Sequence, residues 1–373
     1  MRSPNRQYLP AVDHLRALAA LLIVYYHCFH LIFPRIAFHR PFNPSEWIYS
    51  SRFLLAFLIE GHTAVSLFLV ISGFILTWGS LGKEISYKQF FRNRALRILP
   101  LLFFVLMVGV YVMRPKFQFL PFLQQILQLG SLPGALELGP WTAVVWTVAV
   151  EIQLYLIFPF LHAWLNRGQV WPVVRVLALA ILARVAGLAL GANVLDLSYW
   201  TVLGRADQFI AGALLAYFMQ RGRIPERIRW LLPVAAAAVL GSFYGFHMAG
   251  GWPAAEPWRI VWPLAEAALW CFFVACYLPF ASLLPRLISR ALDFVGEISY
   301  SMYLVHFLVI YIFAEHGWYM VMPGRITTGI MLTGSFVLLP IVLAVSWLTY
   351  TTIERPFLDM RKRYTAPAET RSA

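Results

Sequence analysis

Long apolar stretches alternate with short polar loops along the whole chain. A helix that crosses a bilayer needs about 20 mostly apolar residues. Stretches that reach or approach this length occur at residues 13–33, 53–78, 98–113, 141–164, 172–190, 201–219, 230–247, 259–279, 293–313 and 327–350. The third stretch is short, and Arg184 interrupts the fifth. The pattern predicts an all-α integral membrane protein with about ten transmembrane helices.

Positive charges are distributed unequally between the two sides of these predicted spans. With the N-terminus in the cytoplasm, 20 of the 30 Lys and Arg residues face the cytoplasm and seven face outward. The remaining three, Arg16, Arg184 and Arg205, lie within spans. Because cytoplasmic loops of membrane proteins carry excess Lys and Arg, we expect both termini in the cytoplasm. An even number of spans requires the same arrangement.

Composition supports a lipid environment and excludes other classes of partner. Hydrophobic residues make up 60% of the 373 residues and charged residues 13%, whereas soluble domains carry about 25% charged residues. The net charge of +13 does not indicate nucleic-acid binding, because the basic residues form short clusters between apolar stretches. Three cysteines, all within apolar stretches, give no disulfide framework.

The chain is expected to form one membrane domain, because its loops are too short for a separate soluble domain. We assign residues 8–357 to this domain. Residues 358–373 are expected to be a short, charged, cytoplasmic and disordered tail.

Ionisable side chains inside the predicted spans are the first candidates for function. Each costs at least about 2.5–3.5 kcal/mol at mid-membrane, so such residues usually serve function. The candidates are Arg16, His27, Glu151, Arg205, Asp207, Glu266 and His306.

Arg16 and His27 share one face of the first span, because eleven residues make about three helical turns. The spacing places them about 16 Å apart along the axis. Two interpretations stay open. The two residues can form one functional surface along the helix, or Arg16 can be an interfacial arginine and His27 a hydrogen-bonded interhelical histidine. Glu151 and His306 are expected within a turn or two of the depth of His27. This convergence fits general acid–base catalysis and fits a proton relay equally well.

Three arginines, Arg92, Arg94 and Arg97, lie together at the cytoplasmic start of the third span. They fit membrane anchoring to anionic lipid, and they also fit a clamp for phosphate. Gly73, next to Ser72, would let another helix approach closely.

Further pairings and chemistries are less favourable. Arg205 and Asp207 do not share a helix face, so no salt bridge between them is implied. Glu266 has no obvious partner. No metal site is expected, because no carboxylate lies near His27 and His30 in their span. Hydrolase, P-loop, dinucleotide-binding and zincin motifs do not occur.

Taken in order, these segments resemble the acyltransferase-3 family of multispanning membrane proteins, which includes O-antigen acetylases. The resembling segments are the Arg-x10-His motif at Arg16 and His27, the segment ending Ser-Gly-Phe at 64–74, the Arg-rich entry at 91–100, the motif ending at Glu151 with Tyr155 after it, the late segment at Gly296 and 299–306, and the Glu-Arg-Pro-Phe ending at 354–357. Two departures are Ser66, where the family often has Asp, and Thr147, where it often has Ser.

The resemblance implies transfer of an acyl group, expected to be acetyl, from cytoplasmic acyl-CoA to a hydroxyl of a glycan or glycolipid. It implies acyl-CoA as co-substrate, no bound cofactor, and a multi-pass protein of the inner membrane. A proton-coupled transporter or flippase for a glycolipid or small solute is the alternative. The acyl group, the acceptor, the oligomeric state and the choice between direct transfer and an acyl-enzyme stay undetermined.

The residues expected to carry this function fall into four groups. They are His27, Glu151 and Arg16 for catalysis; His306 and Ser72 in support; Arg16, Arg92, Arg94 and Arg97 for binding the donor; and Arg205 and Asp207 on the acceptor side.

Overall fold

The computed structural model describes residues 9–43, 46–127 and 139–367, and these residues are mostly helical. The α-helices are α1 (Pro10–Ala37), α2 (Phe53–Ile59), α3 (Ala64–Ser80), α4 (Tyr87–Val112), α5 (Phe119–Ile126), α6 (Val145–Asn166), α7 (Val170–Ala189), α8 (Val202–Gln220), α9 (Leu232–Met248), α10 (Trp262–Phe280), α11 (Arg286–Glu297), α12 (Ser299–Glu315), α13 (Ile326–Thr333), α14 (Leu339–Thr349) and α15 (Arg355–Asp359). Two short strands, β1 (Lys83–Ile85) and β2 (Thr365–Pro367), pair antiparallel.

The predicted all-α membrane fold is confirmed, and helices overlap all ten predicted spans. Among the described residues, eight helices are long and apolar enough to cross a membrane, or nine if the bent pair α11–α12 counts as one span. The sixth predicted span is helix α8, which lies outside this set and carries three buried polar residues, Arg205, Asp207 and Gln208. The third predicted span begins earlier in the structure than the sequence predicted, so the arginines at 92–97 lie within α4.

Two helices, α1 and α3, form the centre of the bundle and pack against each other. α3 also packs along α8, and glycines allow this contact. A Cβ on Gly73 would lie 1.9 Å from the backbone oxygen of Phe209, and one on Gly212 would lie 2.0 Å from that of Val70. The prediction that Gly73 permits close helix approach is therefore confirmed.

Connectivity defines two ends of the bundle. The end where α1 and α4 begin and α3 finishes carries Arg94 and Arg97, and we call it the basic end. The other end, where α3 begins, includes the connections between α1 and α2, between α7 and α8, and between α9 and α10; we call it the opposite end. At the basic end the chain bends by 71° between α11 and α12.

The prediction of a disordered tail over 358–373 is wrong for the residues that the structure describes, 358–367. Leu358 and Tyr364 are buried, and the Tyr364 ring packs on Phe90 with centroids 5.5 Å apart. The Asn93 side chain donates to the backbone oxygen of Lys362 at 2.6 Å and accepts from its backbone N–H at 3.1 Å. These contacts with α4, together with the pairing of β2 to β1, hold the segment in place. Residues 368–373 lie outside the described residues.

Candidate active site

A cleft opens at the basic end and reaches the middle of the bundle. It holds about 790 Å³ of unfilled space, including its mouth. Helices α1, α3, α4, α6 and α12 contribute its walls. The polar side chains of its lining are Arg16, Ser72, Arg94, Arg97, Thr147, Glu151, Tyr155, Ser299, Tyr300 and Tyr303. Outside the cluster at 92–97, the residues predicted for catalysis, support and donor binding were five: Arg16, Ser72, Glu151, His27 and His306. The first three line this cavity, and the two histidines are not part of its lining.

Glu151 is the carboxylate of the cleft. The Ser72 hydroxyl donates to Glu151 Oε1 at 3.1 Å, and the Tyr155 hydroxyl donates to the same oxygen. The two hydroxyls also lie 3.2 Å apart. Tyr155 follows Glu151 by one helical turn, and Ser72 approaches from α3. The Ser72 and Tyr155 hydroxyls thereby orient a half-buried carboxylate that lines the cavity.

Guanidinium groups surround the mouth of the cleft. Arg16 Nη1 donates to Asp13 Oδ1 at 3.1 Å, and Arg97 Nη1 donates to Glu354 Oε1 at 3.2 Å. The Arg94 guanidinium stacks 5.6 Å from the centroid of the Tyr155 ring. Glu354 is buried, so the family-like ending of the chain fixes one of these cations.

Arg92 differs from the rest of its cluster, because the structure places it outside the cleft lining. Its Nη1 donates to the backbone oxygen of Met360 at 3.1 Å. Arg92 and Arg94 are about 200° apart on a helix and cannot share a face. Arg361, beyond the last helix, adds to the positive charge here: burial, followed by the charges of Arg97 and Arg94, lowers its pKa to about 10. The predicted donor cluster is therefore split.

His27 and His306 form a direct pair, with His27 Nδ1 and His306 Nε2 2.9 Å apart. The Nδ1 of His306 lies 3.0 Å from the carbonyl oxygen of Met302, which can only accept. In the neutral state, His306 Nδ1 therefore carries the proton and its Nε2 accepts from His27 Nδ1. The Nε2 lone pair of His27 is left without a partner among the described residues. His306 is fully buried and fixes this tautomer.

The predicted convergence of three proton-transfer groups is only partly found. His27 meets His306, whereas Glu151 contacts Ser72 and Tyr155 and has no recorded contact with either imidazole within the described ranges. Tyr303 connects the two groups: it lines the cleft, and its ring centroid lies 5.8 Å from that of His306. Thr147 keeps the hydroxyl expected there and donates to Tyr303 at 2.7 Å.

The two residues predicted on the acceptor side have separate partners. Asp207 forms a buried ion pair with Arg184 at 2.7 Å, which braces α7 against α8. Arg205 Nη1 donates to Ser66 at 2.9 Å and lies 3.8 Å from Glu266. Arg205 and Asp207 do not bond to each other, as the helix geometry predicted.

Glu266 lacked an obvious partner in the sequence, and the structure provides two. Thr63 donates to its Oε1 at 2.5 Å, and Arg205 approaches its other oxygen.

Sequence reasoning missed a buried cluster around Glu60 at the opposite end. Glu60 Oε1 accepts from Trp47 Nε1 at 2.9 Å and from His247 Nδ1 at 2.7 Å. His62 Nε2 lies 3.1 Å from Glu60 Oε2. The Ser50 backbone N–H donates to His247 Nε2 at 3.0 Å, which leaves the His247 proton on Nδ1. The signal was available, because Glu60 and His62 lie inside the predicted second span.

The part of the chain that the structure describes contains no group of three or more His, Cys, Asp or Glu side chains arranged to hold a metal ion. The cleft therefore offers guanidiniums, hydroxyls and one carboxylate for chemistry. A site of this kind can bind an anion at its mouth and transfer protons further inside.

Comparison with known proteins identifies the family. The profile of an acyltransferase domain, that of the acyltransferase-3 family, matches residues 9–351. The chain belongs to this family. No solved structure is significantly similar to the chain.

Several curated relatives of this acyltransferase are bacterial. The chain is 29% identical over 271 residues to exopolysaccharide production protein ExoZ of Rhizobium meliloti, covering 69% of this chain and 79% of ExoZ. It is 26% identical over 291 residues to acyltransferase MdmB of Streptomyces mycarofaciens, covering 69% and 70% of the two chains. It is 24% identical over 352 residues to peptidoglycan O-acetyltransferase OatA of Listeria monocytogenes, covering 82% of this chain and 50% of OatA.

The family and the fold together establish a multi-pass membrane O-acyltransferase.

Proposed function

We propose that this enzyme transfers an acyl group, expected to be acetyl, from cytoplasmic acyl-CoA to a hydroxyl of a glycan or glycolipid, in the inner membrane. The observation that carries the proposal is the cleft, in which three guanidiniums at the mouth precede a carboxylate and a run of hydroxyls. In this proposal the basic end faces the cytoplasm, where acyl-CoA is available.

The mouth of the cleft suits the donor's phosphates. Arg16, Arg94 and Arg97 supply planar cations that bind phosphate oxygens in pairs, which Lys cannot do. The pantetheine arm, which is narrow and only moderately polar, would continue along the hydroxyl-lined interior toward Tyr303. The thioester would then arrive beside the His27–His306 pair.

The free Nε2 of His27 suits acyl transfer in either of two ways. As a base it takes the acceptor's hydroxyl proton, the oxygen attacks the thioester carbonyl, the C–S bond breaks, and the CoA thiolate takes the proton. As a nucleophile it attacks the thioester carbonyl, the C–S bond breaks, and the CoA thiolate leaves the acyl group on Nε2. The acceptor oxygen then attacks that acyl group, the N–C bond breaks, the thiolate takes the hydroxyl proton, and the imidazole is regenerated. His306 holds the tautomer that both routes need. Glu151 is assigned to the donor half of the site, where it can orient the thioester through Ser72 and Tyr155.

The acceptor is assigned from the relatives. The names of ExoZ and OatA refer to an exopolysaccharide and to peptidoglycan, which are both carbohydrate polymers. A sugar hydroxyl on such a polymer, or on its lipid-linked precursor, is therefore the proposed acceptor of this chain.

Thioester consumption by purified protein in liposomes tests the proposal. With acetyl-CoA and a de-esterified preparation of the host's envelope polysaccharide, free CoA thiol should appear together with base-labile acetyl on the polysaccharide. Labelled acetyl-CoA without acceptor separates the two routes, because stable label on His27 indicates a covalent intermediate. Absence of thioester cleavage in folded protein, with movement of a glycolipid across the bilayer instead, would favour the transporter.

The orientation of the bundle needs a separate test. Reporter fusions after Arg363 and within residues 220–228 should be cytoplasmic, and a reporter within 248–257 should be external. The reverse result at any of these positions would contradict a donor site at the basic end.

A further inference from the structure

The opposite end of the bundle carries a group of neighbouring aromatic rings. Trp146 from α6, Tyr199 and Trp200 from the connection before α8, and Trp252 from the connection before α10 are all half-buried. The Tyr199 centroid lies 5.1 Å from that of Trp146, 4.8 Å from that of Trp200 and 5.5 Å from that of Trp252. Three separate segments thus bring four rings to one place, which we call the aromatic platform.

Two buried polar side chains pack against the same tyrosine and keep free hydrogen-bonding atoms. His62 is 3% exposed, its ring lies 5.5 Å from the Tyr199 ring, and its Nδ1 has no partner among the described residues. Arg205 is 1% exposed, its Cζ lies 4.2 Å from the Tyr199 centroid, and its Nη2 has no partner within the same ranges. Buried polar atoms are nearly always bonded, so these two free atoms beside one ring are open to partners that a ligand can supply.

Glu60 defines what His62 can bind. The N–H of His62 Nε2 is directed to the Glu60 carboxylate, so Nδ1 of the neutral ring is an acceptor. Arg205 Nη2 is a donor only. The complementary ligand therefore carries one O–H or N–H to donate and one oxygen to accept.

The charges around the platform favour a neutral ligand over an ionic one. An anion would face the acceptor atom of His62, which is backed by the Glu60 carboxylate, and a cation would face Arg205. A neutral ring with several hydroxyls meets both requirements, since each hydroxyl both donates and accepts. The C–H groups on the face of a sugar ring also suit the electron-rich faces of aromatic side chains.

We propose that His62, Arg205 and the aromatic platform form the acceptor subsite of this enzyme, and that it binds one neutral sugar ring. Glu60 is a positioning residue, which holds His62 with Nδ1 free. The assignment rests on the proposed function for the statement that the bound sugar is the acyl acceptor. The subsite adjoins the proposed reaction centre, because the rings of His27 and His62 lie 4.7 and 6.0 Å from the ring of Tyr26.

The test compares acceptor and donor dependence in liposomes, with acetyl-CoA and the de-esterified envelope polysaccharide. His62→Phe keeps a ring and removes the acceptor atom. It should raise the half-saturating polysaccharide concentration about tenfold, the value of one buried hydrogen bond. The KM for acetyl-CoA should stay at its wild-type value, since the donor's phosphates bind at the other end of the bundle. The control is His316→Phe, at an exposed histidine whose ring packs on Trp318.

Tyr199→Leu is the second variant. Like His62→Phe, it should raise the half-saturating polysaccharide concentration. Unchanged polysaccharide dependence in folded His62→Phe and Tyr199→Leu proteins would overturn the proposal. Should His62→Phe fail to fold, the Tyr199→Leu result and the binding measurement below decide it.

Binding without catalysis separates this proposal from the proposed function. The same polysaccharide should quench tryptophan fluorescence of the wild-type protein. Trp252→Leu should reduce the quenching, whereas Trp318→Leu, which removes an exposed ring, should not. Quenching without acyl transfer would keep the subsite and reject the chemistry. If the wild-type protein transfers acyl groups but the polysaccharide quenches fluorescence in none of these proteins, the chemistry stands and the subsite is rejected.

Discussion

Glu151 and Glu60 are both carboxylates within the bundle, and their surroundings are opposite in kind. Glu151 is half-buried, faces an open cleft and accepts from two hydroxyls. Glu60 is fully buried and accepts from the N–H groups of Trp47 and His247, with a third nitrogen, His62 Nε2, 3.1 Å away. Hydroxyls rotate and can exchange a proton with a ligand, whereas indole and imidazole N–H groups hold an anion in place. The difference separates a carboxylate suited to chemistry from one suited to fixing its neighbours.

The two regions also differ in how their cations are held. At the basic end, Arg97 pairs with Glu354 while the side chain remains about one-fifth exposed, and Arg94 stacks on Tyr155. At the opposite end, Arg205 is almost fully enclosed by Ser66, Tyr199 and Glu266. An accessible cation suits a mobile polyanion, and an enclosed one suits a single well-placed oxygen.

The largest effect is expected at the imidazole pair between the two regions. His27→Ala should abolish acyl transfer, a loss of about 10²–10⁴-fold for a general base and more for a covalent carrier. His306→Ala should cost less, about 10- to 100-fold, because it removes a hydrogen bond that orients His27. Turnover in liposomes measures both. Partial rescue by His306→Gln, which restores an acceptor, would separate orientation from simple packing. Near wild-type turnover of folded His27→Ala protein would reject the catalytic assignment.

The two carboxylates should respond differently to the same substitution. Glu151→Gln should lower turnover by about 10²-fold, because the hydroxyls that orient the thioester lose their charged acceptor, with little loss of stability. Glu60→Gln should lower the free energy of unfolding by about 1–3 kcal/mol, because buried N–H donors lose a charged acceptor. Thermal unfolding in detergent and turnover in liposomes measure the two effects. If both variants lost activity and stability alike, the distinction between the two regions would be wrong.

The smallest effect is expected at the mouth of the cleft, where α4 provides a matched pair. Arg94→Gln should raise the KM for acyl-CoA about tenfold, since it removes one charge-assisted contact to phosphate. Arg92→Gln, two residues away, changes a side chain that contacts the Met360 carbonyl and should leave this KM unchanged. The KM for acceptor should stay constant in both variants. Equal donor KM values for the two variants would assign the cluster to membrane anchoring.

Much of the architecture could be predicted from the sequence, because lipid imposes simple rules. Apolar length predicted the helices, and Gly73 predicted a close contact. The sequence-based prediction failed where a polar segment gained partners from distant parts of the chain. Residues 358–367 looked like a disordered tail, but Asn93 and β1 supply hydrogen bonds that a local reading of the sequence could not include.

The candidate site shows the same division. The sequence by itself placed the candidate ionisable residues inside predicted spans, where their cost in lipid marks each of them, although Glu60 and His62 were missed there. Only the tertiary structure decided their partners: His27 with His306, Glu151 with Ser72 and Asp207 with Arg184. Helix spacing fixes the depth and the relative direction of side chains on one helix, but which face of a second helix meets them depends on packing over the whole bundle. For that reason depth placed Glu151 near the level of His27, and packing gave the two side chains different partners.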